Sequence, residues 1–254
     1  ISAMLTERLV VHVSKYASKE YFGFVKGAGG TTAMLHFLRR LQDWYSAAKD
    51  TKLYILSIDF QKAFDSVWHH FLPIVYKAWG VPPRARRLLE RMIKCNCEVM
   101  GLGGNPNSKP EQQGRGLKTG DPRAAIEFVM VLALVMQAAH NKTLDVWGQA
   151  AVNKERSMTL EHSATFADDV NLLSTNFAIG CTRAASIVHY GRFAGLNVAL
   201  DKSGILCAHA SAKRRGMMSN ITYSLRLPDG REIRGKRNLK ILGALFAGHN
   251  SSAP

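Results

Sequence analysis

Residues 158–174 read Met-Thr-Leu-Glu-His-Ser-Ala-Thr-Phe-Ala-Asp-Asp-Val-Asn-Leu-Leu-Ser, with two apolar runs on either side of paired aspartates. This pattern predicts strands over residues 158–165 and 170–174, joined by a tight turn at Ala167-Asp168-Asp169. Adjacent carboxylates between apolar strands repel each other, and a bound cation offsets that cost. Mg²⁺ suits such a turn because it needs few carboxylates and keeps waters and substrate phosphates as ligands. The turn is therefore a candidate metal site, with a solvated aspartate turn as the alternative.

A third carboxylate follows another apolar strand. The run Leu53–Ile58 predicts a short buried strand, and Asp59 comes directly after it. If this strand lies beside the aspartate turn, three carboxylates converge, and two metal ions held there could activate a 3′-hydroxyl and stabilise a leaving pyrophosphate. Asp59 alone is explained equally well as a strand-end cap. The two motifs together favour the metal site.

The rest of the chain combines helical and strand-like patterns. Helical spacing of apolar residues predicts helices over 5–16, from 31 to beyond 45, and over 66–79, 84–94, 122–140 and 177–193. Further strands are predicted over 203–209, 221–227 and 239–246, with Pro228-Asp-Gly230 as a hairpin turn. This mixture predicts an α+β fold in which helices and antiparallel strands form one compact unit.

The composition narrows the class of protein. Among 254 residues, Lys plus Arg number 34 and Asp plus Glu 19, which gives a net charge of +15. Such an excess suits a phosphate-binding surface, because each neutralised phosphate releases counterions. A ribosomal protein or a membrane-surface binder would share it. The four cysteines form no CxxC pair and the nine histidines follow no zinc-finger spacing, which argues against a disulfide scaffold and a zinc module.

The sequence pattern carries no membrane or targeting signal. The longest apolar stretch, residues 124–139, is interrupted by Glu127 and is shorter than the ~20 residues of a bilayer span. No signal peptide is recognisable at the N-terminus. We therefore expect an intracellular protein without a membrane partner. The start at Ile1 predicts a piece of a longer polypeptide.

Several segments resemble the motifs of one known family. Ser57-Ile-Asp-Phe-Gln-Lys-Ala-Phe-Asp-Ser-Val67 resembles motif A of the reverse transcriptases of non-LTR (LINE-type) retrotransposons, and Phe166-Ala-Asp-Asp169 resembles their motif C. Other segments are similar to further motifs of that family in the same order, namely residues 23–32 to the fingers segment, 115–122 to motif B, 195–204 to motif D and 242–243 to motif E. The resemblance covers nearly the whole chain.

The resemblance implies a right-hand polymerase core. Its palm would be an antiparallel sheet backed by helices, formed by residues 51–79 and 119–254. Residues 1–50 and 80–118 would form partial fingers, and the thumb would be absent. The implied activity is that of an RNA-directed DNA polymerase, which adds dNTPs to a primer 3′-hydroxyl along an RNA template by two-metal phosphoryl transfer. The implied setting is a retrotransposon polyprotein with further domains, acting in the nucleus.

The resemblance also implies a role for individual residues. Asp59 and Asp168 would ligate two Mg²⁺ ions with the backbone carbonyl of Phe60, and Asp169 would support them. Leu242 and Gly243 would seat the primer end. Five residues would contact the incoming nucleotide, namely Lys26, Phe64, Thr119, Gly120 and Lys202. Among these, Phe64 would exclude a 2′-hydroxyl by its shape, and Lys202 would lie near the leaving pyrophosphate.

One predicted helix is rich in arginine. Arg84, Arg86, Arg87 and Arg91 lie within residues 84–94 and are candidates for contact with a nucleic-acid backbone, although a plain solvated face explains them equally well. These positions add to the net positive charge but carry no motif of their own.

The chain departs from the family pattern at three places. Thr119 stands where the family usually has Gln, Arg123-Ala-Ala125 where it usually has Leu-Ser-Pro, and Val25 where arginine is common. A degenerate or domesticated nucleic-acid-binding relic is therefore one alternative. An RNA-dependent RNA polymerase is another, although Phe64 and Ala167 favour deoxynucleotides, since those enzymes usually carry Asp and Gly there.

Overall fold

Helices and strands follow one another along the chain in the computed structural model, which describes residues 2–48, 51–94, 97–98, 111–112, 114–118, 120–159, 161–208 and 223–247. The helices are α1 (Ser2–Tyr16), α2 (Gly30–Ala47), α3 (Ala63–Ser66), α4 (Leu72–Ala78), α5 (Pro83–Lys94), α6 (Arg123–Trp147), α7 (Gln149–Thr159) and α8 (Phe177–Phe193). The strands are β1 (Leu53–Ile58), β2 (Cys97–Glu98), β3 (Glu111–Gln112), β4 (Ser163–Phe166), β5 (Asp169–Ser174), β6 (Gly204–Ala208), β7 (Ser224–Arg226), β8 (Glu232–Arg234), β9 (Asn238–Ile241) and β10 (Ala244–Ala247).

The central sheet has four strands in the order β4-β5-β1-β6, each antiparallel to its neighbours. Ile58 at the end of β1 lies opposite Val170 near the start of β5. The pairs β2–β3, β7–β8 and β9–β10 form separate two-stranded sheets, and the β7–β8 pair confirms the turn predicted at residues 228–230. The predicted combination of helices and antiparallel strands is therefore confirmed.

The two faces of the sheet pack against different elements, because alternate side chains of a strand point to opposite faces. Tyr54, Leu56 and Ile58 belong to the larger buried cluster, which includes residues of α6 and α8. Leu53 and Ile55 belong to a smaller cluster with residues of α2 and β9. Burial of one Leu or Ile side chain contributes about 1.5–3 kcal/mol, so the two clusters fix the face that each side chain of β1 occupies.

Helix α6 is the central helix of the larger cluster. It packs against α1, α4 and α8, and it continues to Trp147, beyond the predicted end at residue 140. Within the described residues it is the single helix long and apolar enough to cross a membrane, by length and composition only. Since 56% of its most apolar window is buried in the protein, we describe it as a core helix.

A segment before α2 extends the sheet beyond β4. Tyr21 pairs with Thr165 in a parallel bridge. The N–H of Phe22 donates to the Thr165 carbonyl (2.8 Å), and the N–H of Thr165 donates to the Glu20 carbonyl (2.9 Å). Residues 20–22 therefore cover the outer edge of β4.

The strand predicted over residues 158–165 is wrong at its start. Residues 149–159 form α7, and the strand begins only at Ser163. Val152, Glu155 and Thr159 recur at helical spacing and are buried, which favours the helix over a strand. The predicted strands over 203–209 and 221–227 correspond to β6 and β7, and residues 209, 221 and 222 lie outside the described part of the chain.

The helix predicted over residues 66–79 is also wrong, because it is interrupted. Val67 and Trp68 are extended, with ψ of 124° and 128°, and Trp68 pairs with Arg115 in an isolated β-bridge. After a short 3₁₀ turn, α4 begins at Leu72 with Pro73 in its first turn, where the missing N–H of proline costs no helical hydrogen bond.

The strand predicted over residues 239–246 is a hairpin instead. Leu242 and Gly243 form a two-residue turn between β9 and β10, with φ of 48° and 82°. Two successive residues with positive φ match the type I′ turn, whose twist follows that of the flanking strands. Gly243 accepts this conformation readily, and Leu242 is held in it with its side chain packed on the smaller cluster.

Candidate active site

The register of the sheet brings the three predicted carboxylates to one end of it. Ile58 lies opposite Val170, so the next residue, Asp59, follows β1 where Asp169 begins β5. Asp168 lies in the turn between β4 and β5 with Ala167, whose φ is 52°. Asp59 and Asp169 each feel the charge of Asp168. The structure therefore brings together the strand end and the aspartate turn.

Negative charge accumulates at this end of the sheet. Burial, followed by the charges of Asp168 and Asp59, raises the pKa of Asp169 to about 6. Burial also raises the pKa of Asp59, where Lys202 opposes the shift and the charges of Asp168 and Asp201 add to it. The carboxylates thus carry more negative charge than the neighbouring lysine offsets.

Lys202 is the cation beside Asp59. Its Nζ lies 3.7 Å from Asp59 Oδ1, and its side chain is 66% exposed. A pair this exposed contributes about 0–1 kcal/mol to folding, so Lys202 matters more for the local potential than for stability. The neighbouring Ser203 is buried, and its Oγ accepts a hydrogen bond from the Asp59 N–H at 3.0 Å. This hydrogen bond from the Asp59 N–H to Ser203 fixes the backbone of Asp59.

The carboxylates suit a magnesium ion chemically. Asp59 Oδ1 is buried and has no hydrogen-bond partner among the described residues. Those residues contain no ready-made group of three or more His, Cys, Asp or Glu side chains that could hold a metal. Mg²⁺ is usually held by one or two carboxylates together with substrate phosphates, so a larger cluster is not required. The donor set therefore fits the ion.

Phe60 has a buried ring, and its backbone carbonyl points away from the strand segment that it pairs with. It is 2% exposed and bridges Val198 in an antiparallel pair. The hydrogen bonds of this pair come from its neighbours: Gln61 N–H donates to the Asn197 carbonyl (2.7 Å), and the Asp59 carbonyl accepts from Ala199 (2.8 Å). Because peptide groups alternate in direction along a strand, the Phe60 carbonyl points to the opposite edge, the edge that β5 occupies.

Phe64 is half-buried and packs on a core helix. Its ring stacks on that of Phe128 in α6, with centroids 4.7 Å apart and planes at 22°. Its carbonyl accepts a hydrogen bond from Leu117 N–H (2.8 Å). The ring is thus fixed by the core on one side and remains partly accessible.

The segment that leads into α6 contains a buried ionic network. Gly120 has a φ of 86°, and Thr119 lies outside the described residues. Arg123 is 3% exposed and binds Asp121 (Nη2–Oδ2 2.7 Å) and Glu127 (Nη1–Oε1 3.6 Å). Burial by itself raises the pKa of Asp121, but hydrogen bonds from Arg123 and Ser2 lower it to about 2. The departure at Arg123 is therefore part of a structural cluster in which both carboxylates have partners within the chain.

Lys26 is exposed, and its backbone N–H donates to Ser14 Oγ at 2.9 Å. The residues just before it lie on the aspartate turn. A Cβ added at Gly23 would meet Phe166 Cδ2 at 2.9 Å, and the rings of Phe24 and Phe166 lie 5.9 Å apart. The structure thus places Gly23 and Phe24, rather than the Lys26 backbone, against the turn.

Leu242 and Gly243 lie on the hairpin that covers the smaller cluster. Leu239 and Ile241 of this hairpin pack with Leu53 and Ile55. Asp59 falls on the same face of β1 as Leu53 and Ile55, because it continues the same alternation. The hairpin therefore belongs to the face on which the carboxylates lie.

Sequence reasoning missed the polar residues that lead to the carboxylates. Ser57 and Asn171 lie directly opposite each other on β1 and β5, and both are buried. Ser57 precedes Asp59 by two positions, and Asn171 follows Asp169 by two positions. The period-two alternation of polar residues at 57 and 59 and at 169 and 171 is the signal that could have revealed this polar stripe. Asn171 donates to the Ala164 carbonyl at 3.4 Å.

An antiparallel sheet with helices on both faces and an acidic turn at its end defines a mixed α/β domain with a candidate metal site. A family described as "Reverse transcriptase (RNA-dependent DNA polymerase)" matches residues 1–246. The chain therefore belongs to the reverse transcriptase family, as the sequence motifs predicted.

Two curated proteins of Popillia japonica are similar to the chain. Both are described as "Retrovirus-related Pol polyprotein from type-1 retrotransposable element R2". One is 23% identical over 211 residues, which cover 82% of this chain and 28% of that protein. The other is 24% identical over 203 residues, which cover 79% and 32%. The matched region thus spans less than a third of the length of each relative.

Proposed function

We propose that the chain is the catalytic region of an RNA-directed DNA polymerase encoded by a non-LTR retrotransposon. It would add dNTPs to a primer 3′-hydroxyl along an RNA template by two-metal phosphoryl transfer. One observation carries the proposal: Asp59 at the end of β1 meets the Asp168–Asp169 turn, where excess negative charge and an Asp59 oxygen without a hydrogen bond provide a site for cations.

Two residues and one carbonyl would hold the metal. Asp59 and Asp168 would supply carboxylate oxygens, and Phe60 its outward carbonyl, with Asp169 beside them. Mg²⁺, when bound, neutralises charge on the reacting oxygens and on the leaving pyrophosphate. The raised pKa of Asp169 fits this role, because a bound cation favours its ionised form.

Other residues would position the nucleotide. Lys202 carries a proton on Nζ next to Asp59 and could give it to the departing pyrophosphate. Phe64, held by Phe128, would fill the space that a ribose 2′-hydroxyl needs. Gly120 adds no side chain near the entry to α6, so backbone could approach the substrate. Lys26 and Thr119 complete the proposed nucleotide contacts.

The polymerase subdivisions are part of the same proposal. Residues 51–79 and 119–254 would form the palm, and residues 1–50 and 80–118 partial fingers. Leu242 and Gly243, at the turn of the β9–β10 hairpin, would seat the primer end. This arrangement is supported by the hairpin's position on the face of Leu53, Ile55 and Asp59.

The exposed face of α5 would bind the nucleic-acid backbone. Arg84, Arg87 and Arg91 are exposed, they recur every three to four positions, and they form no ion pair with another described residue. Residues at this spacing lie about 5–6 Å apart on one side of a helix. Arg86 is half-buried and faces the protein more than solvent.

The setting of the chain is proposed from its relatives. Both are Pol polyproteins of a retrotransposable element and are much longer than the chain. We therefore propose that further domains accompany it, that an RNA template and a DNA primer are its partners, and that it acts in the nucleus.

Primer extension tests the proposal. A DNA primer on an RNA template should be extended with dNTPs and Mg²⁺, and Asp59→Ala should abolish extension. A preference for rNTPs would instead identify an RNA polymerase. A non-catalytic relic would bind the primer–template without extending it. Its binding would be equal for wild type and Asp59→Ala, and the full-length polyprotein would also fail to extend the primer. Phe64→Val should raise rNTP incorporation if that ring excludes the 2′-hydroxyl.

A further inference from the structure

A cavity of about 670 Å³ lies on the side of the sheet that α6 and α8 cover. Its walls come from the end of α1, residues 17–21, α6 and α8, and they reach His162 and Ser163 at the start of β4. Neither Asp59 nor the aspartate turn lines it, and that turn is at the other end of β4. Small-molecule sites occupy about 300–1,000 Å³. The cavity is therefore a second site of ligand size.

Most of its wall is apolar and aromatic. Tyr21 and Trp79 both line it. The Tyr21 hydroxyl is bonded to Met136 Sδ (3.3 Å), and Trp79 Nε1 donates to the Met130 carbonyl (3.0 Å). Because their polar atoms already have partners, these rings offer apolar faces. The wall suits a flat, apolar body.

Two guanidinium groups line one side of the cavity. Arg183 is 3% exposed, and its Nε and Nη2 have no hydrogen-bond partner among the described residues. Its Nη2 forms an ion pair with Glu155 Oε2 at 3.6 Å but no hydrogen bond. Arg156 is 55% exposed and pairs with Glu161 at 3.3 Å. Both arginines line the cavity.

Glu20 is the acidic residue of the wall, and its oxygens are already occupied. One accepts from the His162 N–H (2.9 Å) and the other from Ser163 Oγ (3.0 Å). Glu155 and Glu161, which face the arginines, are outside the lining. Across the lining, two guanidinium groups thus face one engaged carboxylate.

Two stacked histidines also line the cavity. His140 and His162 stack with ring centroids 5.3 Å apart, and buried His162 has no partner for Nδ1 among the described residues. Burial and then Arg183 lower the pKa of both rings, that of His162 to about 3. Both rings are therefore neutral at pH 7 and lie beside the two guanidinium groups.

We propose that this cavity binds a small amphipathic anion, with an aromatic apolar body against the Tyr21 and Trp79 walls and one carboxylate toward Arg156 and Arg183. The neutral rings of His140 and His162 supply hydrogen-bonding groups that a carboxylate or a polar edge can use. This site is independent of the aspartate turn and of polymerisation.

A matched pair of probes tests the charge requirement. 1-Naphthaleneacetate and its neutral isostere 1-naphthaleneacetamide share the same ring system. Isothermal titration of the protein should give a dissociation constant about tenfold lower for the acetate. Arg156→Gln should reduce this preference several-fold and leave amide binding unchanged. Equal binding of the two probes, or no binding of the acetate at millimolar concentration, would overturn the proposal.

A blocking variant tests the location. Ala133 lines the cavity from α6, and Ala133→Phe should abolish acetate binding. Ala150→Phe makes the same change at an exposed position of α7 outside the lining and should keep wild-type affinity. Thermal melting shows whether both variants fold. Full binding by a folded Ala133→Phe variant would place the ligand elsewhere.

Histidine NMR on the wild-type protein provides a measurement that needs no variant to fold. Saturation with 1-naphthaleneacetate should shift the ring signals of His140 and His162, while those of exposed His36 and His70 stay in place. Shifts confined to the exposed histidines would contradict the site. Because no polymerisation enters these experiments, their failure leaves the proposed enzymatic function unaffected.

Discussion

Two acidic clusters of this domain differ in how their charge is balanced. At the start of α6, Arg123 binds Asp121 and Glu127, and with Ser2 it holds the pKa of Asp121 at about 2. Burial raises the pKa of Glu127, which Arg123 and the Tyr76 hydroxyl (2.7 Å) counteract. Both carboxylates of this cluster have partners within the chain, which we call balanced, and the cluster stabilises the fold.

The second cluster, at the end of β1, is not balanced. Asp59, Asp168 and Asp169 share one exposed lysine at 3.7 Å from Asp59, and the pKa of Asp169 is raised to about 6. An acidic group that its own chain neutralises stabilises the fold, whereas one left with excess charge is free to bind a cation. The comparison predicts different outcomes when each cluster is changed.

The largest expected effect is on catalysis at the unbalanced cluster. Asp168→Asn should lower the rate of Mg²⁺-dependent primer extension by about 10³-fold or more, because it removes a proposed metal ligand. The free energy of unfolding should stay the same or rise, since one of three like charges is removed. Asp145→Asn, at an exposed position of α6, is the control. Loss of stability without loss of activity would reverse the comparison.

The next effect is on stability at the balanced cluster. Arg123→Met should lower the free energy of unfolding by about 3–5 kcal/mol, because it leaves buried Glu127 and half-buried Asp121 without their cation. Urea unfolding measures the change, with exposed Arg84→Met as the matched control. A loss below about 1 kcal/mol would show that Asp121 and Glu127 do not depend on Arg123.

A smaller effect is expected on α5, where the unbalanced charge is positive. Changing Arg84, Arg87 and Arg91 together to Gln should make the negative slope of log affinity against log salt shallower by about 2–3, because fewer phosphate contacts release fewer counterions. Filter binding to an RNA–DNA duplex between low and physiological salt measures it. The control changes Lys142 and Lys154, exposed on α6 and α7. An unchanged slope would assign the α5 arginines to plain solvation.

The smallest effect is the pH dependence of stability without divalent cations. Asp169 has a raised pKa, so the folded state binds its proton more tightly than the unfolded state, and stability falls as pH rises from about 4 to 6. Asp169→Asn should remove this fall. Asp121 has a lowered pKa, so its contribution is lost only as pH falls toward about 2. Denaturant midpoints across pH 2–7 distinguish the contributions of Asp169 and Asp121. Parallel curves for Asp169→Asn and wild type would contradict the prediction for Asp169.

Sequence patterns predicted the β1 strand and the aspartate turn because both depend on short-range features. The run Leu53–Ile58 is apolar and ends in an acid, and Ala167-Asp168 joins two strands of the predicted type. Their meeting followed from the motif order of a known family, since pairing between segments so far apart leaves no local signal.

Long-range contacts explain what the sequence did not predict. Residues 158–159 look strand-like, but they finish α7, where Glu155 accepts hydrogen bonds from Thr175 and Asn176 N–H groups. Trp68 interrupts a helical pattern because it pairs with Arg115. The cluster around Arg123 could not be predicted from the sequence either. Its Glu127 accepts a hydrogen bond from Tyr76, and this contact joins α6 to α4.

The pairing of residues 20–22 with β4 has a practical consequence for anyone who shortens this domain. An uncovered strand edge recruits other chains and promotes aggregation. A version that begins after Phe22 would expose the backbone of Thr165, which now bonds to Glu20 and Phe22. We therefore expect such truncations to precipitate on expression, and a soluble minimal domain to retain the stretch before α2.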